Sequence, residues 1–330
     1  MKAAFIQETG PASNIRFGEL PSPTPSSTQI VVKTQAVSVN PIDTYIRSGT
    51  IPMPIPLPFI VGCDFAGVVD SVGDAATRFK VGDRVWGSNQ GLLGRQGTFA
   101  ERIAVEECFA YPTPDNVDDK SIASVALVAI TAHLGLAQRA NLRAGQTLFV
   151  SGGAGGVGSM VCQMGKALGA RVITSAGSDE RVDICRKLGV DEAFNHNSSD
   201  RQETIKALAP DGIDLFWETR RQPDFEGSID VLAENGTMVV MAGRDAKPAF
   251  PVGPFYVKGC SLVGFAMFKA SPETQQQSAQ AINNWLSQGH MKANIGKEFP
   301  LAEAAAAHQL QEDNTLHGAG TLHGKIVLVP

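Results

Sequence analysis

Glycines with a fixed spacing follow an apolar run near the middle of the chain. In the stretch "FVSGGAGGVGS", residues 149–159, Gly153, Gly155 and Gly158 match the pattern G-x-G-x-x-G. The pattern alone is weak, but here it follows a predicted strand and opens a predicted helix. The first glycine then allows a tight turn, the second lets the backbone approach a pyrophosphate, and the third allows close packing of the helix on the strand. We therefore predict a dinucleotide site, against the alternative of a structural turn.

The chemistry of this loop comes from its backbone. The first four N–H groups of a helix have no acceptor within the helix, so they and the loop amides can donate to phosphate oxygens. The predicted phosphate-binding residues are Gly153, Ala154, Gly155, Gly156, Val157 and Gly158.

The end of the second predicted strand indicates which dinucleotide binds. A fold that prefers NAD places an acid there, about 20 residues after the loop, to bind the ribose 2′-hydroxyl. This stretch reads "ITSAGSDER", and its acids, Asp179 and Glu180, come only in the first turn of the next predicted helix. Arg181 is close enough to offer a guanidinium to a 2′-phosphate, although a solvated helix charge is the alternative. We predict NADPH, with Ser175 and Arg181 among its contacts.

Two kinds of sequence pattern divide the chain into two predicted domains. Strands and helices alternate regularly over residues 121–269, which predicts a doubly wound parallel Rossmann sheet of α/β class. Residues 1–120 are β-rich, interrupted by Pro, Gly and Ser clusters, and predict an irregular antiparallel domain. Residues 270–330 add a polar helix and a final strand, "GKIVLVP", which we expect to rejoin the first domain.

Composition excludes several classes of partner. The formal net charge of −5 leaves no basic surplus to neutralise nucleic-acid or anionic-lipid phosphates. No run of about 18 apolar residues occurs, and the apolar stretch at 122–137 predicts a buried helix rather than a membrane span. Five scattered cysteines without a CxxC pair suit reduced thiols in a cytoplasmic protein. The N-terminus "MKAAFIQETG" lacks a signal-like apolar run.

Several ordered motifs together carry a resemblance to a known family. They are "NPIDTYIRSG", "VGCDFAGVV", "FKVGDRVW", "GTFAERIAV", the glycine loop, "FPLAEAAAAH" and "HGKIVL". This set resembles the medium-chain dehydrogenase/reductase superfamily and, within it, the zinc-independent quinone oxidoreductase (zeta-crystallin-like) branch. The resemblance implies a GroES-like β-rich domain, a reaction in the cleft between the two domains, and a homodimer formed through the last Rossmann strand, Cys260–Met267.

The metal ligands of the zinc-dependent relatives are missing from this chain. Those relatives use a Cys before the Asp of the first motif and a His in a "GHE" motif. Here Asn40 stands at the first position, and "GCD", residues 62–64, replaces the second. Zinc requires a cluster of Cys and His ligands, so we predict no metal and interpret Cys63 as a small buried thiol.

The resemblance also implies which residues line the reaction site. Asn40 is expected to bind the acceptor oxygen or the cofactor amide, and Tyr45 to relay a proton or stack on a ring, with Asp43 beside them. The alternatives are turn capping for Asn40 and Asp43 and core packing for Tyr45.

The resemblance adds further cofactor contacts. Thr131 matches a family Thr that reaches the nicotinamide, with a hydrogen bond to its own helical turn as the alternative. His196 stands where the family often has a Tyr at the adenosine end. Gly243 and Phe265 follow the fifth and sixth predicted strands, whose carboxyl ends face the cofactor. The "ETRR" stretch at residues 218–221 departs from the "DSVG" usual in the family.

Without zinc to polarise a carbonyl, substrates that accept hydride readily are favoured. We predict an NADPH-dependent, zinc-independent reductase of quinones that acts on a small-molecule electrophile. One alternative is a reductase of enal, enone or enoyl-thioester double bonds. The other is an NADPH-binding protein with little catalytic activity.

Overall fold

The computed structural model describes residues 1–198 and 200–330. Strands β1 to β16, numbered in chain order, are Lys2–Ile6, Arg16–Glu19, Gln29–Val39, Phe59–Ile60, Asp64–Val72, Arg84–Gly87, Arg102–Glu106, Ala110–Pro112, Thr147–Ser151, Arg171–Ala176, Glu192–Asn195, Ile213–Glu218, Leu232–Val240, Ser261–Gly264, Ile295–Pro300 and Lys325–Val329. Helices α1 to α9 are Pro41–Ser48, Asp119–His133, Gly156–Ala167, Asp179–Lys187, Arg201–Leu208, Phe225–Val231, Val252–Val257, Pro272–Ser287 and Ala304–Thr315.

The chain divides into two compact units. The first unit comprises Met1–Leu127, Ser271–Ser287 and Lys292–Pro330, and the second comprises Val128–Ala270 and Gln288–Met291.

The second unit contains a doubly wound parallel sheet. Its strands lie in the order β11-β10-β9-β12-β13-β14, and every neighbouring pair is parallel. This order is the one expected for two mononucleotide-binding halves that meet between β9 and β12. The predicted α/β fold class is confirmed. The strands are short apolar runs because both faces of such a sheet are covered, and Phe149, Ile173, Phe216 and Met238 form part of one buried cluster.

The first unit is dominated by antiparallel pairing. One sheet has the order β15-β16-β3-β5-β6-β8, with β7 also paired to β3, and a smaller sheet has the order β2-β1-β4. The C-terminal strand β16 pairs antiparallel with β3 and parallel with β15. The last residues of the chain therefore lie beside the strand that leads directly into α1.

The apolar helix after residue 118 differs from the single α-helix that the sequence predicts. The α-helix ends at His133, and residues Leu134–Arg139 continue as a π-helix. A Cβ atom on Gly135 would lie 2.1 Å from the Trp217 ring and 3.0 Å from the Phe265 ring. The π-helix thus coincides with a very close approach of the backbone to two aromatic rings, and such segments often occur at functional sites.

Among the described residues, one helix has the length and apolar composition that a membrane span needs. The segment Asp119–Arg139 has a mean hydropathy of 1.6 over an 18-residue window, and 78% of that window is buried inside the structure. A core helix passes the same test, and the burial identifies this segment as one.

The last strand of the parallel sheet is shorter than predicted. Residues Cys260–Met267 suggest a strand, but β14 covers only Ser261–Gly264 and a 3-10 turn follows at Met267–Lys269. The neighbouring strand β13 ends at Val240, opposite Gly264. The ladder between the two strands therefore ends at the residue where β14 itself ends.

Candidate functional site: a dinucleotide cradle and a buried polar cluster

The first and third glycines of the loop are required by close packing. A Cβ atom on Gly153 would lie 2.2 Å from Thr174 Oγ1, and one on Gly158 would lie 2.2 Å from the Gly152 carbonyl oxygen. The N–H groups of Gly152 and Gly153 both donate to the carbonyl of Ser175, at 3.0 and 3.1 Å. These bonds fasten the loop to the end of β10, the neighbouring strand.

The second glycine leaves the start of α3 open. Gly155 is the N-cap of α3, and because glycine has no side chain it cannot cap the helix with one. A Cβ atom there would approach only the Gly152 carbonyl oxygen, at 3.3 Å. The amides of the first helical turn, from Gly156 onward, therefore have no side-chain cap and suit a pyrophosphate. The loop fits the dinucleotide that its sequence predicts.

The predicted adenosine-side residues lie at the ends of β10 and β11. The Ser175 hydroxyl and His196 Nδ1 are 3.3 Å apart. Ser178 caps α4 and accepts a bond from the Arg181 N–H at 3.4 Å. The Asn195 side chain donates to Asp179 at 2.8 Å, so this first acid after β10 is already engaged by a side chain of the protein.

Charge and burial keep His196 neutral. Burial lowers the pKa of the His196 imidazole, and the positive charges of Arg201 and Arg220 lower it further, while Glu218 opposes them. A neutral imidazole can donate one hydrogen bond through whichever ring nitrogen carries the proton.

The predicted nicotinamide-side residues follow the ends of β13 and β14. Gly243 has φ +79°, and a Cβ atom there would lie 2.4 Å from the Arg221 carbonyl oxygen. The Phe265 ring packs edge-on against Trp217, with ring centroids 6.3 Å apart. Thr131 is buried in α2. Glycine at position 243 is therefore required both by its backbone conformation and by its neighbours.

In the first unit, a capping box starts α1. The Asn40 N–H donates to Asp43 Oδ2 at 2.7 Å, and the Asp43 N–H donates to the Asn40 backbone carbonyl at 3.0 Å. Pro41 occupies the first helical position, where its missing N–H costs nothing. Asn40 and Asp43 thus perform the turn capping that was the alternative to a catalytic role, although capping does not test that role. Tyr45, half-buried on the same helix, stays a prediction.

The Asn40 side chain connects two charged residues in the interior of the first unit. Its Nδ2 donates to Asp64 Oδ2 at 2.7 Å, and its Oδ1 accepts from Lys325 Nζ at 2.6 Å. Lys325 also donates to the Val39 carbonyl at 2.7 Å, and the Ser38 hydroxyl donates to Asp64 at 2.9 Å. We call Asn40, Asp43, Cys63, Asp64 and Lys325 the buried cluster; Lys325 is 7% exposed and the others 3% or less.

Sequence reasoning missed Lys325. Lys325 lies in "HGKIVL", one of the motifs that carry the family resemblance. Neither its residue type nor the residues near it in the sequence indicate that it belongs to a site. It meets Asn40 across 285 residues of chain, through the pairing of β16 with β3.

Burial dominates the electrostatics of this cluster. It raises the pKa of Asp43 to about 7, with the Asp64 charge adding to the effect and the Cys63 hydrogen bond opposing it. Burial and both carboxylates hold the pKa of the Cys63 thiol well above its usual range. Burial raises the pKa of Asp64 against the pull of Lys325. Near neutral pH the Cys63 thiol is therefore protonated, and Asp43 exchanges a proton.

The residues of the buried cluster do not fit zinc. Asn40 already uses its oxygen to accept from Lys325 Nζ and its nitrogen to donate to Asp64. Within residues 1–198 and 200–330, no three His, Cys, Asp or Glu side chains come together as metal ligands would.

Comparison with known proteins agrees with this architecture. Residues 26–115 match the family model described as alcohol dehydrogenase GroES-like domain, and residues 156–284 match the one described as zinc-binding dehydrogenase. The chain is 32% identical to the human quinone oxidoreductase over 331 residues, which is 100% of this chain and 98% of the relative. It is 28% identical to a 2-haloacrylate reductase from a Burkholderia species, over 99% of this chain and 98% of the relative.

Solved structures show the same fold over the full chain. The crystal structure of an NAD-dependent alcohol dehydrogenase superposes with a TM-score of 0.90 at 26% identity, covering 100% of both chains. A mycobacterial protein complexed with NADPH superposes with a TM-score of 0.85 at 28% identity, again covering 100% of both.

These observations identify the class of protein. A parallel sheet with a glycine cradle, combined with a GroES-like β-rich unit, defines a medium-chain dehydrogenase/reductase that binds a nicotinamide dinucleotide. The chain belongs to the quinone oxidoreductase branch of that superfamily and is an oxidoreductase of this kind.

Proposed function

We propose that this protein reduces quinones by hydride transfer from NADPH, without zinc. The observation that carries the proposal is the Asn40 side chain, which stands where zinc-dependent relatives hold a metal ligand and accepts a bond from Lys325 Nζ. With no metal to activate a carbonyl, an acceptor that takes hydride readily is the substrate that the site suits best. The human relative's name, quinone oxidoreductase, supports the same acceptor class.

NADPH, when bound, supplies the hydride. Its pyrophosphate would lie over the loop from Gly153 to Gly158 and the open start of α3. Ser175, Arg181 and His196 would contact the 2′-phosphate, since the first acids after β10, Asp179 and Glu180, lie in the first turn of α4 and not at the strand end. The mycobacterial structure complexed with NADPH supports the choice of cofactor.

The nicotinamide end has a separate set of proposed contacts. Thr131, Gly243 and Phe265 would line this end, where the π-helix and the strand ends bring backbone and aromatic rings together. These residues would position the nicotinamide ring, because hydride transfer requires a close and fixed approach of the two reacting atoms.

On the acceptor side, the three predicted residues take different roles. Asn40 has both ends of its amide engaged, so it would hold the loop before α1 in place and contact the acceptor only after rearrangement. Asp43, with a pKa of about 7, would hold a proton next to that loop. Tyr45, which is partly exposed, would donate to the acceptor oxygen and relay the proton that completes reduction to the quinol.

We also propose a homodimer and a cytoplasmic location. The edge strand β14 and the adjacent helix α7 expose several large apolar side chains, namely Val252, Tyr256, Val257 and Leu262, each at least 43% exposed. Pairing of two β14 edges would cover this surface. All five cysteines are free thiols, which fits a reducing compartment.

A panel of acceptors tests the proposed reaction. NADPH oxidation is followed at 340 nm with 1,4-naphthoquinone, and the product is analysed as quinol. We expect turnover with the quinone. Tight NADPH binding without turnover on any acceptor would contradict the proposal and leave a binding protein.

Reduction of an activated alkene is the second candidate, because a 2-haloacrylate reductase is among the relatives. The same assay is run with a short 2-alkenal and with 2-chloroacrylate, and the saturated product is measured. Turnover of these acceptors without turnover of the quinone would establish the second candidate in place of the first.

A further inference from the structure

Polar side chains form a row along the carboxyl ends of three neighbouring strands in the second unit. Ser175 of β10 lies opposite Ser151 of β9. Phe216 of β12 lies opposite Phe149 of β9, so two residues further along, Glu218 comes beside Ser151. Because side chains alternate along a strand, Glu218 and Ser151 share one face with the two phenylalanines. The row therefore borders the apolar core where the sheet meets its ligand edge.

Glu218 is completely buried and bound to Arg220. Its carboxylate accepts from Arg220 Nη2 at 2.7 Å, from Nε at 3.0 and 3.1 Å, and from the Arg220 backbone N–H at 2.9 Å. A bidentate pair of this kind fixes the plane of the guanidinium. The Arg220 side chain is nevertheless 35% exposed, against 0% for Glu218. A planar group that is held rigidly and is partly exposed thus lies just after the end of β12.

The residue before Arg220 touches the glycine loop. Thr219 Oγ1 donates to the Ser151 carbonyl at 2.5 Å. A Cβ atom on Gly152, the first residue after β9, would lie 2.6 Å from the same hydroxyl. Arg220 therefore follows directly on a residue packed against the start of the proposed pyrophosphate site.

A second arginine, Arg201, lies near the pair, because the Arg220 and Glu218 charges both shift its pKa. Arg201 is only 9% exposed, and its guanidinium carbon lies 5.4 Å from the Phe216 ring centroid and 5.9 Å from that of Phe149. Its Nη2 is 3.5 Å from the Ser228 hydroxyl. Arg201 shows that a guanidinium already stacks on rings at this end of the sheet, as guanidinium groups do.

We propose that the exposed face of the Arg220 guanidinium is the surface on which the adenine ring of the cofactor stacks. The proposal rests on the proposed function, because it assigns one more contact to the same dinucleotide. Arg220 follows β12, where the two halves of the sheet meet, and its charge lowers the pKa of His196 at the end of β11. Arg220 therefore lies toward the half of the sheet that holds the adenosine part of a dinucleotide. An adenine ring suits Arg220 better than a phosphate group does. Glu218 already neutralises the charge that would attract a phosphate, whereas the flat face of the guanidinium stays available for stacking.

The test compares variants of Arg220 with a matched neighbour. Dissociation constants for NADPH and NADH are measured by titration calorimetry for wild type, Arg220→Ala, Arg220→Lys and the control Arg221→Ala. Loss of one base-stacking contact weakens binding by about tenfold. We expect Arg220→Ala and Arg220→Lys to weaken both cofactors by the same factor, because Lys keeps the charge but lacks the plane. Arg221→Ala should bind as wild type does.

Three results overturn the proposal. The first is unchanged cofactor binding in Arg220→Ala. The second is a loss of affinity for NADPH but not for NADH, which would indicate a 2′-phosphate contact. The third is wild-type affinity in Arg220→Lys. If Arg220→Ala folds poorly because Glu218 loses its partner, the same comparison is made in a Glu218→Gln background. Wild-type protein that binds no NADPH would contradict the proposed function together with this inference, whereas wild-type binding that Arg220 does not affect contradicts the inference alone.

Discussion

Replacing Lys325 by Met should destabilise the protein strongly while preserving the shape of the side chain. The Lys325 amino group donates to the Val39 carbonyl at 2.7 Å and to Asn40 Oδ1 at 2.6 Å. Its positive charge lowers the pKa of the buried Asp64 carboxyl against the effect of burial. Removing one member of a buried charge pair costs about 3–5 kcal/mol, because the remaining charge stays uncompensated. Domains of ordinary stability have about 5–15 kcal/mol in total, so the loss is large.

The assay is urea unfolding followed by circular dichroism at pH 7.5. Lys33→Met, at an exposed position on β3, is the control and should lie within about 0.5 kcal/mol of wild type. The double variant Lys325→Met/Asp64→Asn removes both charges, and we expect it to recover most of the loss. A cost below about 1 kcal/mol for Lys325→Met, or a double variant no more stable than the single one, would refute the account of the buried cluster.

Three further changes test other parts of the structure. His308→Leu should raise the free energy of unfolding at pH 7 by about 1–2 kcal/mol in urea titrations. The reason is that the imidazole is fully buried and neither ring nitrogen has a hydrogen-bond partner among the described residues. Gly158→Ala should weaken NADPH binding by about tenfold or more in calorimetry, since its Cβ atom would lie 2.2 Å from the Gly152 carbonyl oxygen beneath the pyrophosphate site. Gly177→Asp should shift preference from NADPH toward NADH in steady-state assays, because its Cβ atom fits 3.6 Å from His196 Nε2 and its carboxylate would repel a 2′-phosphate.

The histidine variant also carries a pH signature. Burial lowers the pKa of His308 from 6.5 to about 3. His308 becomes protonated below pH 6.5 in the unfolded chain but only below about pH 3 in the folded chain. The free energy of unfolding of the wild type therefore falls as the pH decreases from 6.5 to about 3. His308→Leu should lack this part of the acid loss. Parallel pH profiles for the two proteins would contradict the assignment.

The two cofactor variants need separate checks. Circular dichroism and the urea midpoint distinguish lost binding from lost folding in Gly158→Ala. Full NADPH affinity in a folded Gly158→Ala, or an unchanged cofactor ratio in Gly177→Asp, would contradict the placement of the dinucleotide.

Local patterns predicted the cofactor half of the molecule well. The glycine loop lies between β9 and α3 as expected, and the parallel strand order follows from the alternation of strands and helices. These features depend on neighbouring residues and on general rules for βαβ units, which a single sequence contains.

Long-range contacts explain what the sequence did not show. Lys325 joins Asn40 only because β16 pairs with β3, and nothing near Lys325 in the chain signals that pairing. The π-helix after His133 coincides with the approach of Gly135 to Trp217, a contact formed by folding. The sequence predicts that Asn40 binds the acceptor oxygen or the cofactor amide, whereas the structure shows its amide bonded to Asp64 and Lys325. Its role in the reaction stays a prediction.

Steady-state oxidation of NADPH by 1,4-naphthoquinone, after exhaustive treatment with EDTA and with zinc content measured in parallel, tests the central claim most directly. We expect full activity in protein without bound zinc, since the residues of the buried cluster do not fit zinc and the glycine cradle would hold the cofactor. Activity that chelation abolishes and added zinc restores would contradict it.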